Sequence, residues 1–350
     1  MKRESPVRQS LAMSAVLMML LFLMPLAGVS TVQTELFSGE RPVDEKEGEP
    51  FGSGERDSAV TLRVLRGDAV ETMDLGTYLM GVVRAEMPAS FESEALKAQT
   101  VAARTYTLYK IKQGRNHGDM ADLCTDPNCC QAYLEETQAR DNWGEQADVY
   151  ERNIEEAVRA TDGQAVLYGG EPILAVFHSS SAGKTRAAGE VWVKDLPYLQ
   201  AVDSPENGET IPNYYSRVEI STEAFRKQVQ ARWPEAELFS GMENWLSQAV
   251  MDEADHVETL SVGGVTVKGT ELRSALGLRS ACFTWEIQGE TLVFFVTGYG
   301  HGVGLSQYGA NRMAESGATW QEILTHYYTG VTVGTYTAAE LYNFGRTVVK

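Results

Sequence analysis

Residues 74–110, with the sequence DLGTYLMGVVRAEMPASFESEALKAQTVAARTYTLYK, predict two consecutive helices separated by a proline. In the first helix, apolar residues recur with helical spacing between a capping aspartate, Asp74, and the helix-ending Pro88. Glu86 is the last residue of this apolar stripe. Desolvation and the negative end of the helix dipole both raise the pKa of a carboxyl group in this position, and a raised pKa suits a general acid.

The second helix is predicted to begin after Ser90 and to bring cations towards Glu86. Its other side is rich in alanine and carries Gln99. The polar stripe holds two cations and two threonines: Lys97, Thr100, Arg104 and Thr107. Because nearby cations favour the carboxylate, they oppose the effect of burial, and the direction of the pKa shift stays open. The alternative is that Glu86 only ends a helix beside Arg84.

The amino terminus predicts a membrane anchor. Its first ten residues are basic, with Lys2, Arg3 and Arg8, and the nineteen residues Leu11–Val29 are uncharged and long enough to cross a bilayer. The basic flank predicts a cytoplasmic amino terminus and an exported remainder. A cleaved signal peptide is the alternative, because Ala27 and Gly28 supply small residues near a possible cleavage site.

Composition indicates a flexible tether and one large folded domain. We predict a stub and anchor over 1–30, a tether rich in Gly, Pro, Glu and Ser over 31–58, and a folded domain over 59–350. The apolar content of 43% is enough for a sizeable core. The net charge of −18 makes nucleic acid an unsuitable partner.

The folded domain is predicted to be α+β, with mixed helices and antiparallel hairpins. Turn glycines between strand-like runs predict hairpins over 60–73, around Gly169 and Gly170, and over 257–267. Helical patterns cover 145–163, 222–248 and 311–328.

A turn-rich loop over 114–133 holds three of the four cysteines and one histidine. His117, Cys124 and Cys130 form a nitrogen and sulfur set suited to zinc, although the spacing reveals no fourth ligand. Outside the membrane, a disulfide from Cys124 to Cys129 or Cys130 is the alternative. Spacing alone does not decide between the two.

Two further segments combine small residues with polar side chains. In the first, FHSSSAGKTRAAGEVW, His178 and the serines Ser179, Ser180 and Ser181 stand where a strand ends. Hydrogen bonding to a polar ligand is the favoured interpretation, because adjacent strand residues point to opposite faces and do not form a serine–histidine pair. The second, LVFFVTGYGHGVGLSQYGA, alternates glycines with polar residues that can converge on a ligand: Tyr299, His301, Ser306, Gln307 and Tyr308. For His301 we favour hydrogen bonding or core support over metal binding.

These motifs together resemble the stage II sporulation protein D lytic transglycosylases, a family that shares its domain with amidase enhancers. The resemblance rests on YLMGVVRAEMPASFESEALKAQTVAARTYTLYK, FHSSSAGKTRAAGEVW with PYLQAVDSP, GTELRSALGLRS and GYGHGVGLSQYGANRMA. These blocks span roughly residues 63–330 in the family's order.

The resemblance implies cleavage of peptidoglycan strands between N-acetylmuramic acid and N-acetylglucosamine during engulfment of the forespore, with a 1,6-anhydro product. Glu86 would first donate and then accept a proton, and no second carboxylate is required, because the sugar's own 6-hydroxyl attacks the anomeric carbon. Lys97 and Arg104 would tune Glu86 or hold the glycan, and Tyr198 and Tyr308 match positions of site tyrosines.

The resemblance also implies a cofactor, partners and a location. It favours zinc on His117, Cys124 and Cys130 over the disulfide. The implied partners are glycan strands, a peptidoglycan amidase and endopeptidase, and membrane proteins of the engulfment machinery. The implied location is a single-pass protein of the mother-cell membrane with its domain facing the forespore. Gln200 departs from relatives that carry Lys after the site tyrosine, so a cationic role there is in doubt.

Overall fold

A computed structural model describes residues 54–114, 117, 120–192, 194–209, 211–239 and 241–336. The predicted anchor over 1–30 and most of the predicted tether over 31–58 lie outside the described residues. Within these described ranges, none of the helices has both the length and the apolarity needed to cross a membrane.

The secondary structure is a mixture of helices and short, mainly antiparallel sheets, as predicted. The helices in the described ranges are α1 (Glu55–Ser58), α2 (Leu75–Glu86), α3 (Ser93–Gln113), α4 (Glu136–Trp143), α5 (Ala147–Ala160), α6 (Ala188–Val191), α7 (Thr222–Arg232), α8 (Gly269–Leu276), α9 (Gln307–Glu315) and α10 (Trp320–Tyr327). Two 3₁₀ turns cover Gly144–Gln146 and Met242–Asn244.

In the part of the chain that the structure describes, the strands group into five small sheets. In chain order they are β1 (Thr61–Arg66), β2 (Ala69–Asp74), β3 (Leu123–Cys124), β4 (Gln164–Tyr168), β5 (Glu171–Pro172), β6 (Phe177–His178), β7 (Tyr215–Ser221), β8 (Leu246–Met251), β9 (Val257–Val262), β10 (Val265–Lys268), β11 (Phe283–Gln288), β12 (Thr291–Thr297), β13 (Leu305–Ser306) and β14 (Thr332–Thr335). The sheet orders are β2-β1-β3, β14-β4-β5, β13-β6, β11-β12-β7 and β10-β9-β8. The β1–β3 and β6–β13 pairs are parallel, and the other pairs are antiparallel.

The two predicted helices of residues 74–110 form as α2 and α3. The Asp74 carboxylate accepts a 2.9 Å hydrogen bond from the backbone N–H of Thr77 and caps α2, which ends at Glu86, two residues before Pro88. Helix α3 begins at Ser93, later than the predicted cap at Ser90, because the turn at Pro88 extends through a hydrogen bond from the Phe91 N–H to the Pro88 carbonyl.

Helix α3 is the central element of the first part of the fold. It packs against α2, α5, α9, α10 and β4, and its alanine-rich face lets these neighbours approach closely. Apolar residues on both sides of α3 form two adjoining cores, one with the β1–β2 hairpin and the other with α9 and α10. A third core lies in residues 215–297, where α7 and α8 pack against the two antiparallel sheets of that segment.

Three predicted hairpins are confirmed. They are β1–β2 with a turn at Gly67 and Asp68, β4–β5 at Gly169 and Gly170, and β9–β10 at residues 263–264. The predicted helix over 145–163 is also present, as α5.

Two predicted helices are shorter or divided. The pattern over 222–248 gives only α7, because Pro234 follows its last turn, and the segment then enters β8. The pattern over 311–328 divides into α9 and α10 at Gly317, which has a φ of +92°, and Thr319 caps the second helix.

Residues 54–58, at the end of the predicted tether, are part of the fold. The carboxylate of Asp57 in α1 is buried and accepts hydrogen bonds from Arg104 at 2.7 and 2.9 Å. The backbone N–H of Asp57 donates to Asp162 at 2.9 Å. The first turn of the described chain is thereby fixed to α3 and to the end of α5.

Candidate functional site

A cavity of about 240 Å³ lies at the carboxyl end of α2 and brings together five separate parts of the chain. The cysteine loop supplies one wall, α3 supplies a tyrosine, and the segments at β6 and β13 supply the rest. The lining residues are Glu86, Tyr106, Pro127, Cys130, Gln131, Val176, Phe177 and His301. Glu86 is the one carboxylate in this set of described residues.

The carboxyl group of Glu86 is held by two hydrogen bonds. Its Oε1 accepts from the backbone N–H of Ala132 at 3.2 Å, and its side chain is also hydrogen-bonded to that of Gln307. Burial raises the pKa of Glu86 above its ordinary value, while the two hydrogen bonds lower it by less. The pKa shift of Glu86, whose direction the sequence left open, is therefore upward, as a general acid requires.

Gln307 is positioned by the cap of α9. The hydroxyl of Ser306 accepts a 3.3 Å hydrogen bond from the backbone N–H of Gly309 and donates one of 2.7 Å to Glu206. The buried carboxylate of Glu206 also accepts from the backbone N–H and the hydroxyl of Ser181. Glu206 thus joins the serine segment after β6 to the first turn of α9.

The parallel pair β6–β13 brings the two predicted histidines together. The rings of His178 and His301 lie 5.6 Å apart, and His178 is buried with its Nδ1 3.2 Å from the carbonyl of Val303. Nδ1 of His301 accepts from the backbone N–H of Val303 at 3.1 Å. Burial lowers the pKa of His301 to about 4, so the ring that lines the cavity is neutral at physiological pH.

A glycine makes this approach possible. Gly300 has a φ of +126°, and a Cβ built on it would lie 2.6 Å from Cβ of His178. Residues on both sides continue the contact through the backbone: Ser180 pairs with Tyr299, and the N–H of Tyr308 donates to the carbonyl of Ser179 at 3.0 Å. The glycine-rich run and the serine segment, both predicted from sequence, therefore pack against each other, but only His301 of these residues lines the cavity, and His178, Ser179, Ser180 and Ser181 do not.

Other predicted ligand-binding residues have different surroundings. Arg104 is 1% exposed and bound to Asp57, so it contacts neither Glu86 nor solvent. The ammonium of Lys97 donates to Glu94 at 2.6 Å. The Tyr198 hydroxyl accepts from the N–H of Leu174 at 3.2 Å within the core, while Tyr308 packs its ring edge-on against Phe91 and Gln99 is fully buried. The structure does not bring these side chains to the cavity lining.

The cysteine loop collects four potential metal ligands. Ligand atoms of His117, Cys124, Cys129 and Cys130 all lie within 4.8 Å of one another, and all three thiols are free. The Sγ of Cys129 is 3.6 Å from Nε2 of His117. One histidine and three cysteines are a donor set that suits zinc, so the residues fit this metal. Cys129 is the fourth potential ligand, which the spacing in sequence did not reveal.

Three residues of the site were missed by the sequence interpretation. Burial raises the pKa of Tyr106 to about 12, and the phenol lines the cavity beside Glu86. Tyr106 stands seven residues after Gln99 on the same helix face, a spacing that could have indicated it. Gln131 and Glu206 carried no comparable signal, because their contacts come from segments distant in sequence: the Gln131 Oε1 accepts from Thr107 at 2.9 Å.

Comparison with known proteins gives consistent matches. A sequence model described as "Stage II sporulation protein" matches residues 66–168. Stage II sporulation protein D of Bacillus amyloliquefaciens is 34% identical over 281 residues, covering 79% of this chain and 80% of the relative. The protein of that name from Bacillus subtilis strain 168 is 34% identical over 280 residues, covering 79% of each chain.

A differently named relative also matches. It is called amidase enhancer, from Bacillus subtilis strain 168, and is 29% identical over 307 residues, covering 74% of this chain and 40% of the relative. The matched region of the family model includes Glu86, the whole of α3 and the cysteine loop. With identity of 34% over about four fifths of two proteins of that name, the chain belongs to the stage II sporulation protein D family.

Proposed function

We propose that the protein is a lytic transglycosylase that cleaves peptidoglycan strands between N-acetylmuramic acid and N-acetylglucosamine. The observation that carries the proposal is a single buried carboxyl group with a raised pKa at the wall of an open cavity. A hydrolase of the ordinary kind needs two carboxyl groups across the scissile bond. Among the described residues that line this cavity, Glu86 alone has one.

One carboxyl group is sufficient when the substrate supplies its own nucleophile. Protonated Glu86 donates its proton to the oxygen that leaves with N-acetylglucosamine. The 6-hydroxyl of N-acetylmuramic acid attacks the anomeric carbon and forms the 1,6-anhydro ring. The Glu86 carboxylate then accepts the proton of that hydroxyl, so the enzyme returns to its starting state.

The contacts of Glu86 suit both halves of this cycle. Burial favours the protonated acid that begins the reaction. The N–H of Ala132 and the amide of Gln307 stabilise the carboxylate that forms after proton donation. The ring of His301 is neutral and adds no charge to the cavity, and its nitrogens are hydrogen-bonded to the backbone of Val303 and Phe177.

Zinc is proposed as a structural cofactor. His117, Cys124, Cys129 and Cys130 would hold it, and the bound metal would supply a covalent crosslink within the loop. Cys130 itself lines the cavity, and Ala132, two residues on, donates to Glu86. Through Cys130 and Ala132, the cysteine loop forms the wall of the cavity beside Glu86.

We further propose that the protein acts during engulfment of the forespore as a single-pass membrane protein with its domain outside the cytoplasm. Its proposed partners are a peptidoglycan amidase and endopeptidase and other membrane proteins of the engulfment machinery. The family of the chain and the amidase-enhancer relative support a role in sporulation and at the cell wall.

The test is a product assay. The protein is incubated with glycan strands stripped of stem peptides, and fragments are analysed by mass spectrometry. We expect anhydro-ended fragments from the wild type and none from Glu86→Gln. Reducing-end products would indicate a hydrolase instead.

The second candidate function is a module that enhances an amidase without cleaving glycan, and the amidase-enhancer relative favours it. In that case wild-type protein releases no anhydro fragments but accelerates a peptidoglycan amidase, and Glu86→Gln does so equally. This candidate would be excluded if the wild type released anhydro fragments and accelerated the amidase while Glu86→Gln did neither.

A further inference from the structure

A second and larger cavity adjoins the cavity that Glu86 lines. Its volume is about 670 Å³, and His301 belongs to its lining as well as to that of the Glu86 cavity. Helices α7 and α8 and the segment after α6 form its walls. The lining residues are Val191, Trp192, Gln228, Ala231, Arg232, Thr270, Glu271, Arg273, Ser274, Ala275 and His301. The two cavities meet at one side chain, as expected for a groove that takes a chain of sugars.

The two arginines that line the second cavity differ in their partners. Of its two arginines, Arg232 has its guanidinium 3.9 Å from the carboxylate of Glu271. Arg273 has a different environment: its Nε donates to the carbonyl of Leu278 at 3.2 Å, and none of the ion pairs among the described residues includes its guanidinium. The cavity therefore has one cation without a counter-charge, in a chain with a net charge of −18.

The position of Arg273 places this cation near the junction of the two cavities. Its charge is among the causes that lower the pKa of His301, the shared residue. The ring of Trp192 lies 5.4 Å from that of His301 and supplies an aromatic surface beside it. An aromatic face near a guanidinium that has no carboxylate partner is a combination that binds a sugar carrying an acid group.

We infer that Arg273 is a binding residue for a carboxylate carried by the glycan strand, close to the bond that Glu86 cleaves. The inference rests on the proposed function, because it takes a peptidoglycan strand as the substrate. The carboxylate has two possible sources: the lactyl group of muramic acid in a strand without stem peptides, or an acidic residue of an attached stem peptide. A guanidinium binds either in the same way.

The experiment measures binding without cleavage. Glu86→Gln protein is titrated by calorimetry with three ligands: strands without stem peptides, the same strands after their carboxylates are converted to amides, and strands with stem peptides. Arg273→Gln is added to this background, and Arg232→Gln serves as the matched control from the same cavity. Unfolding temperatures of all variants verify that they are folded.

We expect Arg273→Gln to weaken binding of a carboxylate-bearing strand by about tenfold or more, the size of one charge-assisted contact, and to leave the amidated strand unaffected. Arg273→Lys should retain part of the affinity, and Arg232→Gln most of it. Tighter binding of the stripped strand identifies the lactyl group, and tighter binding of the peptide-bearing strand identifies the stem peptide.

Several results would overturn the inference: equal losses on acidic and amidated strands, no loss on either, or no binding of any strand.

Should Arg273→Gln not fold, the salt dependence of the Glu86→Gln parent decides the question. Its affinity should fall with added sodium chloride for acidic strands only. Failure of the proposed function is separate, because it appears as an absence of anhydro products from the wild type whatever the binding data show.

Discussion

The backbone N–H of Ala132 donates a 3.2 Å hydrogen bond to Oε1 of Glu86. Ala132 belongs to the cysteine loop, whose Cys130 lines the same cavity as Glu86. The arrangement of the loop and the pKa of Glu86 are therefore linked, because any displacement of Ala132 removes a donor from the carboxylate. This relationship would let a metal at the proposed site influence the proposed acid through the position of Ala132.

The first prediction concerns the metal ligands. Protein purified without chelator should contain about one zinc per chain, and Cys129→Ser should lower this content, because the thiol belongs to the four-ligand cluster. Elemental analysis measures the content, and the anhydro-product assay measures the loss of activity that follows displacement of the loop. Cys282→Ser is the matched control, since Cys282 lies outside the cluster, and should retain zinc. A stoichiometric disulfide at Cys124 in mass spectrometry would refute the metal site.

The second prediction concerns Gln307, whose hydrogen bond lowers the pKa of Glu86. Gln307→Ala should raise that pKa further and should slow cleavage by about tenfold, the effect of losing one hydrogen bond to a charged group. The general acid is active when protonated, so the alkaline limb of the kcat/KM profile should move to higher pH. Gln288→Ala, on exposed strand β11, should change neither rate nor profile. A downward move of the limb would show that Gln307 does not stabilise the carboxylate.

The third prediction separates two cations of α3 that the sequence interpretation treated alike. Arg104→Gln should reduce the free energy of unfolding by about 3–5 kcal/mol, because it leaves the buried carboxylate of Asp57 without its partner. Lys97→Gln removes a partly exposed pair with Glu94 and should cost about 0–1 kcal/mol. Denaturant unfolding measures both values.

Glycan affinity tests the same pair of substitutions for a binding role. The affinity of folded Arg104→Gln should equal that of the wild type, since Arg104 is not accessible to a ligand. A weakened affinity with unchanged stability would restore the binding role that the resemblance implied for this residue.

The local part of the fold was predictable from sequence. Caps and breakers act on their immediate neighbours, so Asp74, Pro88 and the turn glycines defined α2 and the hairpins correctly. The division of the last predicted helix at Gly317 was missed because the apolar period continues through it while the backbone conformation changes.

The chemistry of the site was predictable where a residue's own surroundings in sequence determine it. Glu86 was identified as the end of an apolar stripe, and Gln307 as part of a glycine-rich run. The partner of a long side chain is decided by tertiary packing, so Arg104 was expected near Glu86 and instead binds Asp57, 47 positions earlier. The sequence interpretation named Cys130 and not Cys129 as a metal ligand, yet the loop conformation brings both thiols to the same cluster.

The last prediction concerns the contribution of Glu86 to stability. Burial raises the pKa of Glu86 in the folded protein above its ordinary value of 4.5. Between the two pKa values the folded state binds more protons than the unfolded state, so the ionised group destabilises the fold increasingly as pH rises through this window. The penalty is full at pH values above the folded-state pKa, and it is lost as pH falls below 4.5. Glu86→Gln removes the penalty and should therefore be more stable than the wild type at pH 7, by about 0.5–2 kcal/mol as for other stabilising substitutions at functional sites.

The difference should disappear as pH falls below 4.5, where both side chains are neutral. Denaturant unfolding of wild type and Glu86→Gln across this range measures it. Glu94→Gln, which neutralises a partly exposed glutamate paired with Lys97 on α3, is the control and should not be stabilised at pH 7. Greater stability of the wild type at neutral pH would mean that the contacts with Ala132 and Gln307 outweigh burial. The resting carboxyl group would then be ionised, and the proposed first step would lack its proton.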